Sequence, residues 1–289
     1  MREYEVISGY RRDDRLRASF NELAGETFGL DFESWYQNGY WGEDYNPHSI
    51  VIDGEVAANV SVNRTDFIRR GERIRLIQLG TVMTRKKYRN QGLSSRIMEM
   101  VLRDCGQADG IYLFANDSVL DFYPRFGFCR AEEYQYKREL TAGKEGTMMP
   151  VPMRDKKDWD KVERAVRCSA CNSALNLDGN SGLIMFYLTK FMRENVYYDE
   201  SLNVYAVAEK KGEELLLNQV FSQERADIVK VAEAFGKEFK RVRLGFTPLD
   251  PDGFEACRLW QEDTTLFVKG KVFDNMEADR LMIPLLAYA

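Results

Sequence analysis

Thr81-Val82-Met83-Thr84-Arg85-Lys86-Lys87-Tyr88-Arg89-Asn90-Gln91-Gly92-Leu93-Ser94-Ser95-Arg96 runs from an apolar strand through a basic turn into a helix. The strand is the end of 74–84, an Ile-Arg-Leu-Ile-Gln-Leu-Gly-Thr-Val-Met-Thr stretch with Gly80 inside it, the mark of a bulge or a close backbone approach. Leu93, Ile97, Met98, Val101 and Leu102 then share one helical face. The first turn of a helix carries unpaired N–H groups and a partial positive charge, so it attracts phosphate. Gly92 lets backbone amides reach an anion unobstructed, and basic residues at 85, 86, 87, 89 and 96 surround the turn. The competing reading is a helix cap beside a solvated basic loop. A Walker loop needs a Gly-Lys-Ser/Thr ending and a dinucleotide turn needs three glycines, and this segment has neither.

Outward from this segment the elements alternate. Upstream, Leu16, Phe20 and Leu23 predict an amphipathic helix over about 11–29. Strands at 50–52 and 56–62 flank Asp53-Gly54, a tight-hairpin signal. Downstream come a short strand, Ile111–Phe114, a short helix over 118–125 and a pair of strands over 127–139. The order predicts a mixed α/β (α+β) sheet whose middle strands are parallel across the helix. A connector follows at 141–156, stiffened by Pro150 and Pro152.

The second half repeats this order. Helices at 156–171 and 181–194 precede a hairpin, 203–209 with 214–221, then a helix from Ile228 and a strand through Val242, Leu244 and Phe246. A short helix near 253–260 and strands near 264–273 close it. The expected domains are 1–140, a linker 141–156, and 157–289 as a degenerate second copy; an unrelated α/β module is the alternative. Where the first half has its basic turn, the second reads Ser222-Gln223-Glu224-Arg225-Ala226-Asp227, without glycine and with two carboxylates. It is expected to hold no second phosphate site.

Composition narrows the class. With 289 residues there is room for two domains. The formal net charge of −5 disfavours a nucleic-acid or anionic-membrane coat. No apolar run approaches the ~20 residues of a membrane span, and Met1-Arg2-Glu3-Tyr4-Glu5 is no secretory signal, so the expected location is cytoplasmic, with no membrane or nucleic-acid partner. One histidine, His48, disfavours a multi-His metal site, and the five cysteines, an odd count, read as free thiols. Cys168-Ser169-Ala170-Cys171 has CxxC spacing but no second half, and reads as two helix thiols.

Beyond 111–114 comes Asn116-Asp117-Ser118-Val119-Leu120-Asp121-Phe122-Tyr123-Pro124-Arg125-Phe126-Gly127-Phe128. Here the chain resembles the GNAT acyl-CoA N-acyltransferase superfamily. Arg89-Asn90-Gln91-Gly92-Leu93-Ser94 is similar to its Arg/Gln-x-x-Gly-x-Gly/Ala signature, with Ser94 as the last small residue. Asn116 and Phe122-Tyr123-x-x-x-Gly127-Phe128 resemble its second coenzyme motif, and the resemblance covers about 3–140. The degenerate second half also resembles the central domain of the enhanced-intracellular-survival type acetyltransferases, which are longer.

The resemblance implies acetyl-CoA as co-substrate, without a metal, and direct transfer to the primary amine of a small molecule or peptide. Backbone of Val82, Met83 and Thr84 would line the pantetheine arm, and amides of Arg89, Asn90, Gln91, Gly92, Leu93 and Ser94 the pyrophosphate. Arg85 or Lys87 would add charge there, Asn116 would bond the arm, and Tyr123 would protonate the leaving thiolate. The general base is open between water, Glu26 and the carboxylate of Ala289. The acceptor region is expected at 26–45, where Glu26, Trp35, Tyr36, Tyr40 and Trp41 offer aromatic faces and carboxylates to a cationic amine. The bland alternative is that these aromatics pin a loop to the domain. Two other functions stay open, a non-catalytic acyl-CoA sensor or scaffold and a nucleotide phosphate binder, as does self-association into a homo-oligomer.

Overall fold

The computed structural model describes residues 4–141 and 145–288. The first sheet orders its strands β1 (Glu5–Ser8), β2 (Tyr45–Ile52), β3 (Glu55–Arg64), β6 (Leu76–Thr84), β7 (Gly110–Ala115), β17 (Thr265–Lys269) and β8 (Cys129–Arg130). The second orders β10 (Met149–Pro150), β12 (Val196–Asp199), β13 (Val204–Lys211), β14 (Glu214–Ser222), β15 (Arg241–Leu244), β9 (Tyr134–Glu139) and β16 (Glu255–Arg258). A small sheet of β11 (Asn176–Leu177), β4 (Phe67–Arg69) and β5 (Glu72–Ile74) bridges the halves.

The fold is mixed α/β in two sheet bodies. Each sheet contains one parallel pair, β6 with β7 and β14 with β15, and each parallel pair is joined by a helical crossover. Those helices are α3 (Leu93–Asp104) and α6 (Ile228–Glu233). The remaining helices are α1 (Asp14–Phe28), α2 (Glu33–Gln37), α4 (Lys156–Arg167) and α5 (Ser181–Lys190).

The halves exchange strands. β9 belongs by sequence to the first 140 residues yet lies between β15 and β16 of the second sheet. β17 comes from the far end of the chain and fills the gap between β7 and β8. The expected strand pair at 127–139 is therefore not a pair, and 255–258 forms a strand where a helix was expected. The expected connector also takes part, through β10 at the edge of the second sheet, where Pro150 tolerates the missing N–H; Ala142, Gly143 and Lys144 lie outside the described residues.

Local chemistry accounts for the elements around the cleft. The Asp13 side chain accepts from the amides of Arg15 and Leu16 and starts α1. Gly29, at φ 68°, ends it, with Gly29 N–H on Gly25 and Leu30 N–H on Ala24. Leu16, Phe20, Leu23 and Ala24 are buried on one face of α1. Asp53 and Gly54, at φ 52° and 77°, make the tight hairpin between β2 and β3. On α3, Leu93, Ile97, Met98 and Val101 pack onto the first sheet. Cys168 and Cys171 follow the end of α4 in a loop rather than on a helix, and all five thiols are free.

Candidate active site

β6 and β7 pair only over Leu76–Gln78 with Gly110–Tyr112. Beyond that they diverge, and from Leu79 to Thr84 the β7-facing edge of β6 has no partner strand. The cause lies on the other edge. Between Asn59 and Ser61 the register with β3 slips, so Thr81 and Val82 bulge outward opposite Val60. Thr81 sits at φ 42°, a strained backbone for a β-branched residue.

A buried polar network holds that strain. The Asn59 amide donates to the Thr81 carbonyl at 2.9 Å and to Ser61 Oγ at 3.0 Å. Ser49 Oγ donates to Asn59 Oδ1 at 2.8 Å, and the Tyr10 hydroxyl meets Ser49 Oγ at 2.6 Å. Thr81 Oγ1 lies 2.9 Å from the Tyr45 hydroxyl and donates to Ser61 Oγ at 2.6 Å. Burial pushes the Tyr45 hydroxyl up to about 12, so it stays a donor at any ordinary pH.

The split opens a cleft of about 1000 Å³. Val82, Met83 and Thr84 line one wall, and Phe114, Asn116 and Tyr123 the other. Arg89, Asn90, Gly92, Leu93, Ser94 and Ser95 form one end. Gly92, at φ 77°, caps α3 without any side-chain hydrogen bond, and a Cβ there would meet nothing within 4 Å. The first-turn amides thus stay available to an anion. Ser94 Oγ lies 2.6 Å from Thr84 Oγ1 and ties the turn to the strand. Asn116 Nδ2 donates to Asp263 Oδ2 at 2.9 Å, and the Asp117 amide to Asp263 Oδ1 at 2.6 Å. A loop of the second half therefore fixes Asn116.

Tyr123 is buried against Phe122, Phe128 and Phe267. Burial alone raises its hydroxyl to about 12, which keeps it protonated. His48 lies on β2 outside the cleft, and burial, countered by Asp104, lowers its pKa and favours the neutral ring.

Several expected assignments change. The Arg89 amide donates to the Lys86 carbonyl, so it is not a free phosphate donor; its Nε donates to Thr84 O. Gln91 does not line the cleft, and its side chain turns back to the Lys87 carbonyl. Arg85 is buried among Glu22, Glu26 and Glu55, and Lys87 pairs with Glu55. Neither is a spare cation, and Glu26 faces Arg85 instead of the cleft.

The aromatic loop is structural. Trp35 and Trp41 stack at 5.5 Å in a buried cluster with Phe20, Phe32, Tyr45 and Phe186. Trp35 Nε1 donates to the Gly182 carbonyl of α5, and Trp41 Nε1 to the Tyr45 carbonyl. Tyr36 lies under the Arg17 guanidinium, and Tyr40 is raised by burial and then by Glu163 and Asp160 of α4. None of these four lines the cleft. The residues that do are Thr27, Phe28 and Leu30 at the end of α1, with Asp263, Thr264 and Tyr288 from the distant end of the chain. Only the first three fall within the expected 26–45 region; nothing in the sequence tied the other three to this site. Ala289, whose carboxylate was a candidate base, lies outside the described residues.

The site is thus a split sheet with an open helix turn at one end and a phenol along the wall. Residues 16–131 match the family model of the acetyltransferase (GNAT) domain. No curated protein matches the sequence. Among solved structures the fold is similar to a protein of unknown function from Enterococcus faecalis V583, a probable N-acyltransferase, with TM-score 0.63 and 14% identity over 92% of this chain and 72% of that one. Eis1 from Mycobacterium abscessus gives 0.57 and 11% over 91% and 73%. A GCN5-related N-acetyltransferase from Kribbella flavida gives 0.55 and 15% over 92% and 72%. The similarity spans both sheet bodies, as a tandem GNAT arrangement requires. Among the described residues no cluster of three His, Cys, Asp or Glu side chains suits a metal, and no helix is long and apolar enough to cross a membrane.

Proposed function

We propose that the protein transfers an acetyl group from acetyl-CoA to the primary amine of a small molecule or peptide, by direct attack within a ternary complex. The observation that carries this reading is the continuous cleft from the open first turn of α3, along the unpaired edge of β6, to Tyr123. In this reading the amides of Leu93, Ser94 and Ser95 hold the diphosphate. The β6 edge pairs with the pantetheine arm as an added strand would, and the side-chain oxygen of Asn116 accepts from it.

The thioester supplies an activated acyl carbon. A neutral amine forms the new C–N bond there, and the carbonyl electrons move onto oxygen, where an amide of the bulge at Val82 stabilises them. As the C–S bond breaks, Tyr123 gives its proton to the sulfur and is later reprotonated, while the nitrogen loses a proton to water. The desolvation that raises Tyr123 acts on a thiolate in the same site too, so the mismatch between acid and leaving group is smaller than their solution values suggest.

The second half carries no such site in this reading. Its α6 has six residues, and one of its cavities, of about 350 Å³, mixes Arg138 and Arg225 with Asp227, Asp250 and Asp252. A non-catalytic acyl-CoA sensor is the second reading, and what favours it is that the cleft's described lining holds one carboxylate, Asp263, and no imidazole. Thiol release from acetyl-CoA against a panel of primary amines decides between them. The transferase reading expects amine-dependent release and an N-acetylated product by mass; tight CoA binding with release at the hydrolysis background for every amine would leave only the sensor.

A further inference from the structure

The second sheet parts beyond its parallel pair as the first does, but there the chain itself fills the gap. β14 pairs with β15 over Glu214–Leu217 with Arg241–Leu244 and then runs on to Ser222 without it. Backbone from elsewhere takes the free edges. The Ala170 amide donates to the Ser222 carbonyl at 2.7 Å, the Ala174 amide to the Thr247 carbonyl at 2.9 Å and the Leu285 amide to the Gly245 carbonyl at 2.8 Å. Leu286, fully buried, shares a core cluster with Phe221 of β14.

From Leu285 the same segment crosses to the first cleft. The Ala287 carbonyl accepts from the Tyr112 hydroxyl of β7 at 3.0 Å, and the Tyr288 carbonyl accepts from the Tyr187 hydroxyl of α5 at 2.7 Å. Burial raises both phenols, so they donate at any ordinary pH. The Tyr288 ring stacks on Phe114 with centroids 3.7 Å apart, and both line the cleft. Tyr112 is the last residue of β7 that pairs with β6, so Phe114 stands where the two strands part, at the end of the split away from α3. The Tyr288 hydroxyl makes no well-formed hydrogen bond of its own. Its ring is therefore placed by the stack and by the carbonyl held from α5.

We infer that Tyr187, a residue of the second half, is a positioning residue for the first half's site: its hydroxyl holds the Tyr288 carbonyl and so places the ring that walls the cleft where β6 and β7 part. The second half then serves the reaction without a ligand of its own, because its split grips the segment that carries this wall. This rests on the acyl-transfer reading and adds a role for the second sheet body. Removing the hydroxyl leaves a carbonyl unpaired and lets the ring drift, and a misplacement of about 1 Å around bound reactants can cost about 100-fold in rate. In this reading the diphosphate is held at the other end, by α3, so the loss falls on the amine and not on the coenzyme.

Tyr187→Phe keeps the ring and removes only that donor. In the full chain saturated with CoA, hydrogen exchange at residues 285–288 should quicken at least about 5-fold while α3 stays as protected as in wild type. Thiol release is then followed with acetyl-CoA and the fastest amine among 2-phenylethylamine, spermidine, kanamycin and a lysine peptide. The variant should lose about 5-fold or more in kcat/KM for the amine, with KM for acetyl-CoA within about 2-fold and a cooperative thermal transition retained. Tyr112→Phe, which frees the Ala287 carbonyl, should move the same quantities. Tyr288→Ala removes the ring itself, and the double variant Tyr187→Phe/Tyr288→Ala should be no slower than Tyr288→Ala alone, because the hydroxyl acts only through that ring. Additive losses in the double variant, or equal losses for amine and acetyl-CoA, overturn the inference. A wild type that binds CoA without amine-dependent release removes the transferase and this role with it; a working wild type beside a Tyr187→Phe of normal kinetics removes the role alone.

Discussion

In the proposed reaction Tyr123 acts from the cleft wall, and Asn59, buried behind the β6 bulge, acts only through the Thr81 carbonyl. In that reaction Tyr123 supplies the proton, and its buried hydroxyl at about 12 sets how the rate should depend on pH. Below that value it is protonated, so it imposes no loss of activity up to about pH 10. The rate instead rises with pH as more amine becomes neutral. Tyr123→Phe should lower kcat about 100-fold with the affinity for CoA unchanged, because only the leaving-group proton is lost. A wild-type profile that falls between pH 8 and 10, or a Phe variant that turns over normally, would remove the tyrosine from the mechanism. Asn59 touches neither partner of the reaction; it holds the strained carbonyl of Thr81 and, through it, the amide at Val82. Asn59→Ala leaves that carbonyl and Ser49 without their partner, at a cost of about 1–3 kcal/mol. As a positioning residue it should depress kcat about 10-fold or more while KM for acetyl-CoA stays within about 2-fold, and Asn59→Asp should restore little because a carboxylate cannot donate. Equal losses in kcat and coenzyme affinity would mean general loosening of the sheet. The sequence marked Gly80 as the irregular position, but the strain falls on Thr81, since the bulge is set by the cross-strand register and by Asn59, twenty-two residues away.

At the scale of elements, the strand–turn–helix unit was the most legible part of the molecule. Its signals are local: an apolar strand, a glycine able to adopt positive φ, and a helix with one apolar face. These properties are decided within a few residues, and the structure keeps them. The charges around the turn were misread for the opposite reason. Whether Arg85 and Lys87 are free depends on Glu22, Glu26 and Glu55, which come from α1 and β3. The aromatic loop carried two readings, acceptor surface or packing against the domain, and the sequence could not choose, because α5, which receives Trp35, lies 147 residues further on. What remains at the turn is Arg89 in the cleft lining, open amides, and a glycine with empty space where its Cβ would stand. Gly92→Glu puts a carboxylate in that space on a strained backbone. It should weaken CoA at least about 100-fold, since a like charge meets the diphosphate, whereas Gly92→Ala should cost roughly 1 kcal/mol of stability and much less affinity. Calorimetry with CoA and with dephospho-CoA reads this directly; undiminished binding by the Glu variant would move the coenzyme away from α3.

Across the whole molecule, the strand exchange makes the two halves one folding problem. Tandem GNAT-like order was legible from the repeated element sequence, but the swap of β9 and β17 was not, because alternation says that a segment is a strand and not which sheet it joins. The exchange places Phe267 of β17, fully buried, against Tyr123, and Asp263 against Asn116. It also buries Glu133 just before β9, where its carboxylate accepts from the Ile283 amide and lies beside the Tyr288 hydroxyl, which makes no well-formed hydrogen bond of its own. Glu133 titrates near 4.5 when unfolded and near 8 when folded, so between those values the folded chain holds a proton that the unfolded chain has lost. Stability must then fall as pH rises through this window, by at most about 1.4 kcal/mol per pH unit. Glu133→Gln keeps an acceptor for Ile283 without the titration. Its melting temperature should exceed wild type at pH 8, and the gap should close towards pH 5. A wild-type melting curve flat from pH 5 to 8 would show that the carboxylate is not held neutral. The exchange has a second consequence: residues 1–140 by themselves lack β17, leave β7 and β8 unjoined, and carry β9 with no sheet to enter. Losing Leu266, Phe267 and Val268 from the first sheet removes about 1.5–3 kcal/mol for each side chain that would have been buried, a large share of the roughly 5–15 kcal/mol that holds a domain. Expressed alone, this fragment should show no cooperative thermal transition and no CoA binding; supplying residues 145–289 as a separate chain should restore both if strand exchange is what completes the sheet. A fragment that melts cooperatively on its own and binds CoA would show that the first half closes its sheet without β17.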